Sequence, residues 1–124
     1  MIAITGRVVS GLGEGALYVD LYRVFFIKYL EIDPFPGTLN IEVDNPVYVS
    51  EVLGMVNPVR IPPPRPGLGD VLAYPALIHN FRVYVVRPEK TNHPPRIVEI
   101  VSERYLRGYL RLKDGDPVTV VLLA

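Results

Sequence analysis

The chain has 124 residues, 13 basic and 13 acidic side chains and no cysteine. That length builds one core, and the even charge balance disfavours the broad basic face that a sequence-general DNA binder needs. Lack of cysteine excludes a disulfide framework, a thiolate metal site and a cysteine nucleophile. Charges interrupt every apolar run well before membrane-spanning length and no secretion signal is read at the start, so 49% hydrophobic residues predict a soluble, folded, cytoplasmic protein.

In chain order, Ile2, Ile4 and Val8 alternate with other residues and predict a half-buried first strand. Gly11-Leu12-Gly13-Glu14-Gly15 follows. Three glycines in five residues let a backbone take positive φ and bring bare N–H groups close to an anion. The plain alternative is a tight connection between strands. No Gly-Lys-Ser/Thr follows and no long helix is read after the glycines, so neither a Walker A loop nor a dinucleotide fingerprint is assigned. Leu17, Val19 and Leu21 alternate at period two and predict another strand. Helix is expected over residues 23–30, where Val24, Ile27 and Leu30 recur every three residues before Pro34 stops it.

Gly37-Thr38-Leu39-Asn40 leads into Leu39, Ile41 and Val43, again at period two. On an extended segment the Thr38 hydroxyl and the Asn40 amide point to the same side, toward a shared Mg²⁺. The plain alternative is a turn end and a strand start. Residues 45–69 hold Pro46, Pro58, Pro62, Pro63, Pro64 and Pro66 and are read as the least regular stretch, with 61–69 an exposed, stiff connector. Strands over 71–78 and 81–86 flank His79-Asn80, a two-residue connection that fits a hairpin.

Strands over 97–101 and 118–123 complete the set, and 103–110 is the other helical stretch, on which Arg104, Arg107 and Arg111 would share one face. Glu99 interrupts the apolar run 97–101, where a charge needs a reason; an outward-facing strand position is the simplest. His79 and His93 have no metal-site spacing, which argues against catalytic zinc. Many strands with few helices predict a small barrel or sandwich, and closure into a barrel would remove exposed edges.

Four segments in order, Val8-Val9-Ser10-Gly11-Leu12-Gly13-Glu14-Gly15, Pro36-Gly37-Thr38-Leu39-Asn40, Lys90-Thr91 with His93, and Leu106-Arg107 with Leu112-Lys113-Asp114-Gly115-Asp116, resemble the archaeal CTP-dependent riboflavin kinases. The match runs from about residue 6 to about residue 122, with a gap between roughly 44 and 72. The resemblance implies a mainly β fold, a small closed six-stranded barrel of the cradle-loop, riboflavin-kinase-like kind with one or two short helices. It implies a single riboflavin kinase domain over residues 1–124 without an N-terminal helix-turn-helix domain.

The implied reaction moves the γ-phosphoryl of CTP to the 5′-hydroxyl of riboflavin, giving FMN and CDP with Mg²⁺. By resemblance, Gly11, Leu12, Gly13, Glu14, Gly15 and Ala16 form the nucleotide loop, joined by Arg104, Tyr105, Leu106 and Arg107. Thr38 and Asn40 would be the metal ligands, and Thr91 and Glu99 would contact the flavin. Riboflavin/FMN and CTP/CDP are then the partners, with no membrane and no nucleic acid expected; oligomeric state is not read. No general base is assigned, although Glu99 and Glu14 have suitable chemistry, and preference for CTP over ATP rests on the resemblance alone. Ala16 stands where the family commonly has arginine, which removes a phosphate contact, and Phe35 stands for tyrosine before Pro36. An alternative of another class is a non-catalytic swapped-hairpin-like barrel that binds DNA or a nucleotide as a regulator. Its motivation is the stretch 112–118, similar to the turn-strand ending of swapped-hairpin transcription factors; zero net charge counts against it.

Overall fold

The computed structural model describes residues 2–11, 15–89 and 95–123. Its elements are β1 (Ile2–Val9), α1 (Gly15–Leu30), β2 (Leu39–Val43), α2 (Pro46–Leu53), β3 (Val59–Ile61), β4 (Val71–Ile78), β5 (Phe81–Pro88), β6 (Ile97–Val101), α3 (Leu106–Tyr109) and β7 (Pro117–Leu122). Six strands close a ring in the order β4-β5-β6-β2-β1-β7, with β7 pairing back to β4, and β3 extends the sheet beyond β4. Every pairing is antiparallel. The expected closed barrel is what forms.

Period two decides which side of this wall each residue faces. Ile4 and Val8, Leu39, Ile41 and Val43, Val98 and Ile100, and Val118, Val120 and Leu122 fill the inside. Val49, Val52 and Leu53 of α2 and Leu106 of α3 join that core. A second apolar layer lies outside, where α1 buries Val19, Tyr22, Phe26 and Leu30 against Ile61, Val71, Ala73, Tyr84, Val86 and Val101. Phe26 is 0% exposed at its centre. Phe26→Ala should therefore cost about 3–5 kcal/mol of stability in a urea titration, because the wall cannot collapse into the space the ring leaves.

The structure corrects several expectations. Leu17, Val19 and Leu21 are helical, not a strand, and the helix expected over 23–30 is only the second half of α1. A 16-residue helix does open at the last glycine of the Gly-rich segment, and the described residues hold three helices rather than one or two short ones. Within 45–69, Asn45 caps α2 by accepting a hydrogen bond from the Tyr48 amide at 3.0 Å, with Pro46 in the first turn, where its missing N–H costs nothing. The rest of that stretch, residues 54–58 and 62–69, lacks helix or strand. The helix expected over 103–110 shrinks to one turn, and Arg111 takes φ 54°, so the three arginines form no helical stripe. The hairpin stands: His79 and Asn80 take φ 49° and 62°, both left-handed, as a type I′ turn requires. Among the described residues no helix is long and apolar enough to cross a membrane.

Candidate active site

Strand register assembles a row of residues on the outside of the barrel. Val9 pairs with Asn40, Asn40 with Glu99, and Glu99 with Val86, so these four side chains cross β1, β2, β6 and β5 on one face. Thr38 precedes β2 on the Asn40 side. Its hydroxyl lies 3.1 Å from Glu99 Oε1 and 3.4 Å from Asn40 Oδ1. One hydroxyl proton serves one acceptor at a time, and the shorter contact and the carboxylate charge both favour Glu99.

The two glycine-bearing motifs meet here. A Cβ added at Gly11 would stand 2.3 Å from Asn40 Nδ2, and one at Gly15 would stand 2.7 Å from Thr38 Oγ1 and 3.1 Å from the Thr38 backbone nitrogen. The glycines are thus needed for close approach to Thr38 and Asn40. Gly15 also begins α1, which brings the partial positive charge of a helix start to the same place.

Arg107 is anchored from the other side. Its Nη2 donates to the Val9 carbonyl at 3.1 Å and to Asp114 Oδ1 at 2.5 Å, while the Ser10 hydroxyl donates to Asp114 Oδ2 at 2.6 Å. The turn carrying Asp114 is itself fastened to β1 by the Gly115 amide on the Val8 carbonyl and the Val8 amide on the Asp116 carbonyl. The Ser10 hydroxyl, then the Arg107 guanidinium, hold the Asp114 carboxyl below its ordinary value of 3.8. A carboxylate whose folded value is lowered contributes stability above the unfolded value and loses it as pH falls. The difference in melting temperature between the protein and Asp114→Asn should therefore be constant from about pH 5 to 8 and vanish in acid below pH 3.8.

Two cavities that share lining residues open on this face. The larger, about 880 Å³, is bordered by Ser10, Gly11, Gly15, Ala16, Thr38, Asn40, Arg96, Glu99 and Arg107. The smaller, about 200 Å³, lies between the Phe35–Leu39 stretch and residues Ser102 to Arg107. Phe35 and Tyr105 pack with ring centroids 5.1 Å apart at its edge, and Gly37, Thr38, Tyr105 and Arg107 border both cavities.

Of the residues singled out in the sequence, Gly11, Gly15, Ala16, Thr38, Asn40, Glu99, Arg104, Tyr105, Leu106 and Arg107 thus line one continuous surface. The Leu106 side chain is buried in the barrel core. Arg104 stacks on Tyr109 at 4.7 Å and Phe81 at 5.8 Å. Leu12, Gly13, Glu14 and Thr91 lie outside the described residues. Sequence reasoning gave no role to Ser10 or Asp114, although both belong to segments quoted for the resemblance. Their contact joins positions 104 residues apart.

The donor set suits a hard divalent cation. Adjacent ligands of octahedral Mg²⁺ lie roughly 2.9 Å apart, and the Thr38 hydroxyl and Asn40 Oδ1 already sit 3.4 Å from each other. Among the described residues no cluster of three or more His, Cys, Asp or Glu side chains competes for a metal.

A helix start, a pinned arginine and a few hard oxygens beside an open cleft make the kind of site that phosphotransferases use for a nucleotide and its metal. The comparisons specify the class further: the chain belongs to the CTP-dependent riboflavin kinase family, whose model, described as "Domain of unknown function DUF120", matches residues 8–122. A riboflavin kinase of Staphylothermus marinus is 49% identical over 98% of this chain and 92% of its own length. Riboflavin kinases of Thermococcus kodakarensis and Pyrococcus furiosus are 46% and 45% identical over 97% of this chain, which spans 58% of each of them.

Proposed function

We propose that the protein is a riboflavin kinase that transfers the γ-phosphoryl of CTP to the 5′-hydroxyl of riboflavin, giving FMN and CDP. One observation carries this reading: the Thr38 hydroxyl touches Glu99 while Gly11 and Gly15 abut Asn40 and Thr38. Residues assigned to nucleotide, metal and flavin thereby share one surface. Residues 1–124 are read as one riboflavin kinase barrel domain, supported by the β1–β7 pairing that ties early and late strands together, and a cytoplasmic setting belongs to the same reading.

Phosphoryl transfer asks the protein mainly to hold phosphates, offset their charge and align the acceptor. Arg107, fixed through Val9 and Asp114, presents its cationic group to the cleft without having to be ordered at the moment of binding. The helix start at Gly15 adds unpaired amides for a phosphate. Thr38 and Asn40 would hold Mg²⁺, which when bound offsets charge on the phosphate oxygens. Because the Thr38 proton points at Glu99, the hydroxyl lone pairs are free to face a cation. Glu99 keeps a second carboxylate oxygen to accept a hydrogen bond from a flavin hydroxyl, and Thr91 belongs to the same flavin assignment. The glycine segment with Glu14, Ala16 and residues 104–107 is assigned to CTP.

Purified protein incubated with riboflavin and Mg²⁺ should yield FMN, resolved by chromatography, when CTP is supplied and not when ATP is. FMN from ATP alone would overturn the donor, and none from either nucleotide would overturn the kinase.

A further inference from the structure

Tyr18 lies one helical turn beyond Gly15, the residue that abuts Thr38, so both occupy one face of α1. Its ring packs on Tyr22 at 5.1 Å and Phe26 at 6.4 Å, in the layer seated on Val86 and Val101 of the outer wall. Glu99 shares the outward side of β6 with Val101 and stands opposite Val86. Tyr18 and Glu99 therefore face the same strip of wall at the helix start. The Tyr18 hydroxyl is buried, yet it is the one buried side-chain polar atom among the described residues with no hydrogen-bond partner. Burial, and next the negative charge of Glu99, hold the phenol protonated above its usual range, so it has a proton to donate.

An unpaired buried hydroxyl is destabilising, and a ligand oxygen that pairs with it removes that cost. The ligand must offer an oxygen to Tyr18 and tolerate a neighbouring carboxylate. A phosphate would bring negative charge beside Glu99, whereas the cationic anchor for phosphate, Arg107, is held by Val9 and Asp114. A neutral polyhydroxylated flavin fits: a ribityl hydroxyl can accept from Tyr18 and donate to Glu99 at once, and a ring carbonyl can accept from Tyr18.

We propose that Tyr18 is a riboflavin-binding residue whose hydroxyl donates a hydrogen bond to a flavin oxygen held against Glu99. The proposal rests on the riboflavin kinase reading above. Tyr18→Phe removes only the unpaired oxygen, so in the ligand-free full chain its melting temperature should equal or exceed that of the unsubstituted protein. Calorimetric titration with riboflavin should show a dissociation constant raised about 5-fold, while that for CTP stays unchanged. A riboflavin constant that does not move, or an equal weakening of CTP, would overturn the assignment. A lowered ligand-free melting temperature would do so too, since it would mark a structural role. Absence of riboflavin binding by the unsubstituted protein would instead sink the kinase reading, which separates the two failures.

Discussion

Thr38→Ala is expected to lower turnover by about two to three orders of magnitude, the scale seen when one preorganised polar contact to a transferring group is deleted. The hydroxyl touches both Glu99 and Asn40, so on the proposed reading its loss would take away a cation ligand and free the Glu99 carboxylate in one step. The fold should survive, because the side chain lies outside the barrel while Leu39, its neighbour, carries the packing inside. Thr38→Ser keeps the oxygen and should restore most of the rate. Rates measured against Mg²⁺ concentration decide the matter: an alanine variant with ordinary turnover and ordinary Mg²⁺ dependence would remove the ligand assignment.

Gly15→Ala is the second large effect, and two forces oppose each other in it. Alanine in place of glycine in a helix ordinarily stabilises by about 1 kcal/mol. Here the new Cβ would fall 2.7 Å from the Thr38 hydroxyl and 3.1 Å from its backbone nitrogen. The hydroxyl can swing away, but the nitrogen belongs to the chain entering β2 and cannot. The collision wins, displacing the helix start from Thr38, and a misplacement of roughly 1 Å costs on the order of 100-fold in rate. At Gly69, where an added Cβ meets nothing within 4 Å, the same substitution should leave turnover unchanged. Steady-state kinetics and melting curves on both variants test this; a Gly15→Ala protein that is both more stable and fully active would refute the close-approach account.

Family membership and six of the seven described strands, all but β3, were legible because each rests on short sequence signals. Ile4 and Val8, or Leu39, Ile41 and Val43, alternate because one side of their wall is buried and the other is not. The first half of α1 was not legible. Leu17 at 76% and Val24 at 73% exposure put apolar residues on the solvent side, which hid the 19, 22, 26, 30 stripe that a helix buries. Pro46 in a proline-bearing stretch read as loop, although Asn45 ahead of it was already a helix cap.

For the site, sequence alone determined the chemistry on offer: hydroxyl and amide two residues apart at the start of a strand, glycines permitting close approach, arginines in a short segment, a carboxylate in an apolar run. Which of these meet was decided only by the tertiary structure. The pairing of Asn40 with Glu99 is a matter of register between β2 and β6, and the contact of Ser10 with Asp114 depends on the closure of β7 beside β1. Neither can be read locally, because backbone ladders joining distant strands set those neighbours, and a slip of one residue would turn every one of these side chains to the other face.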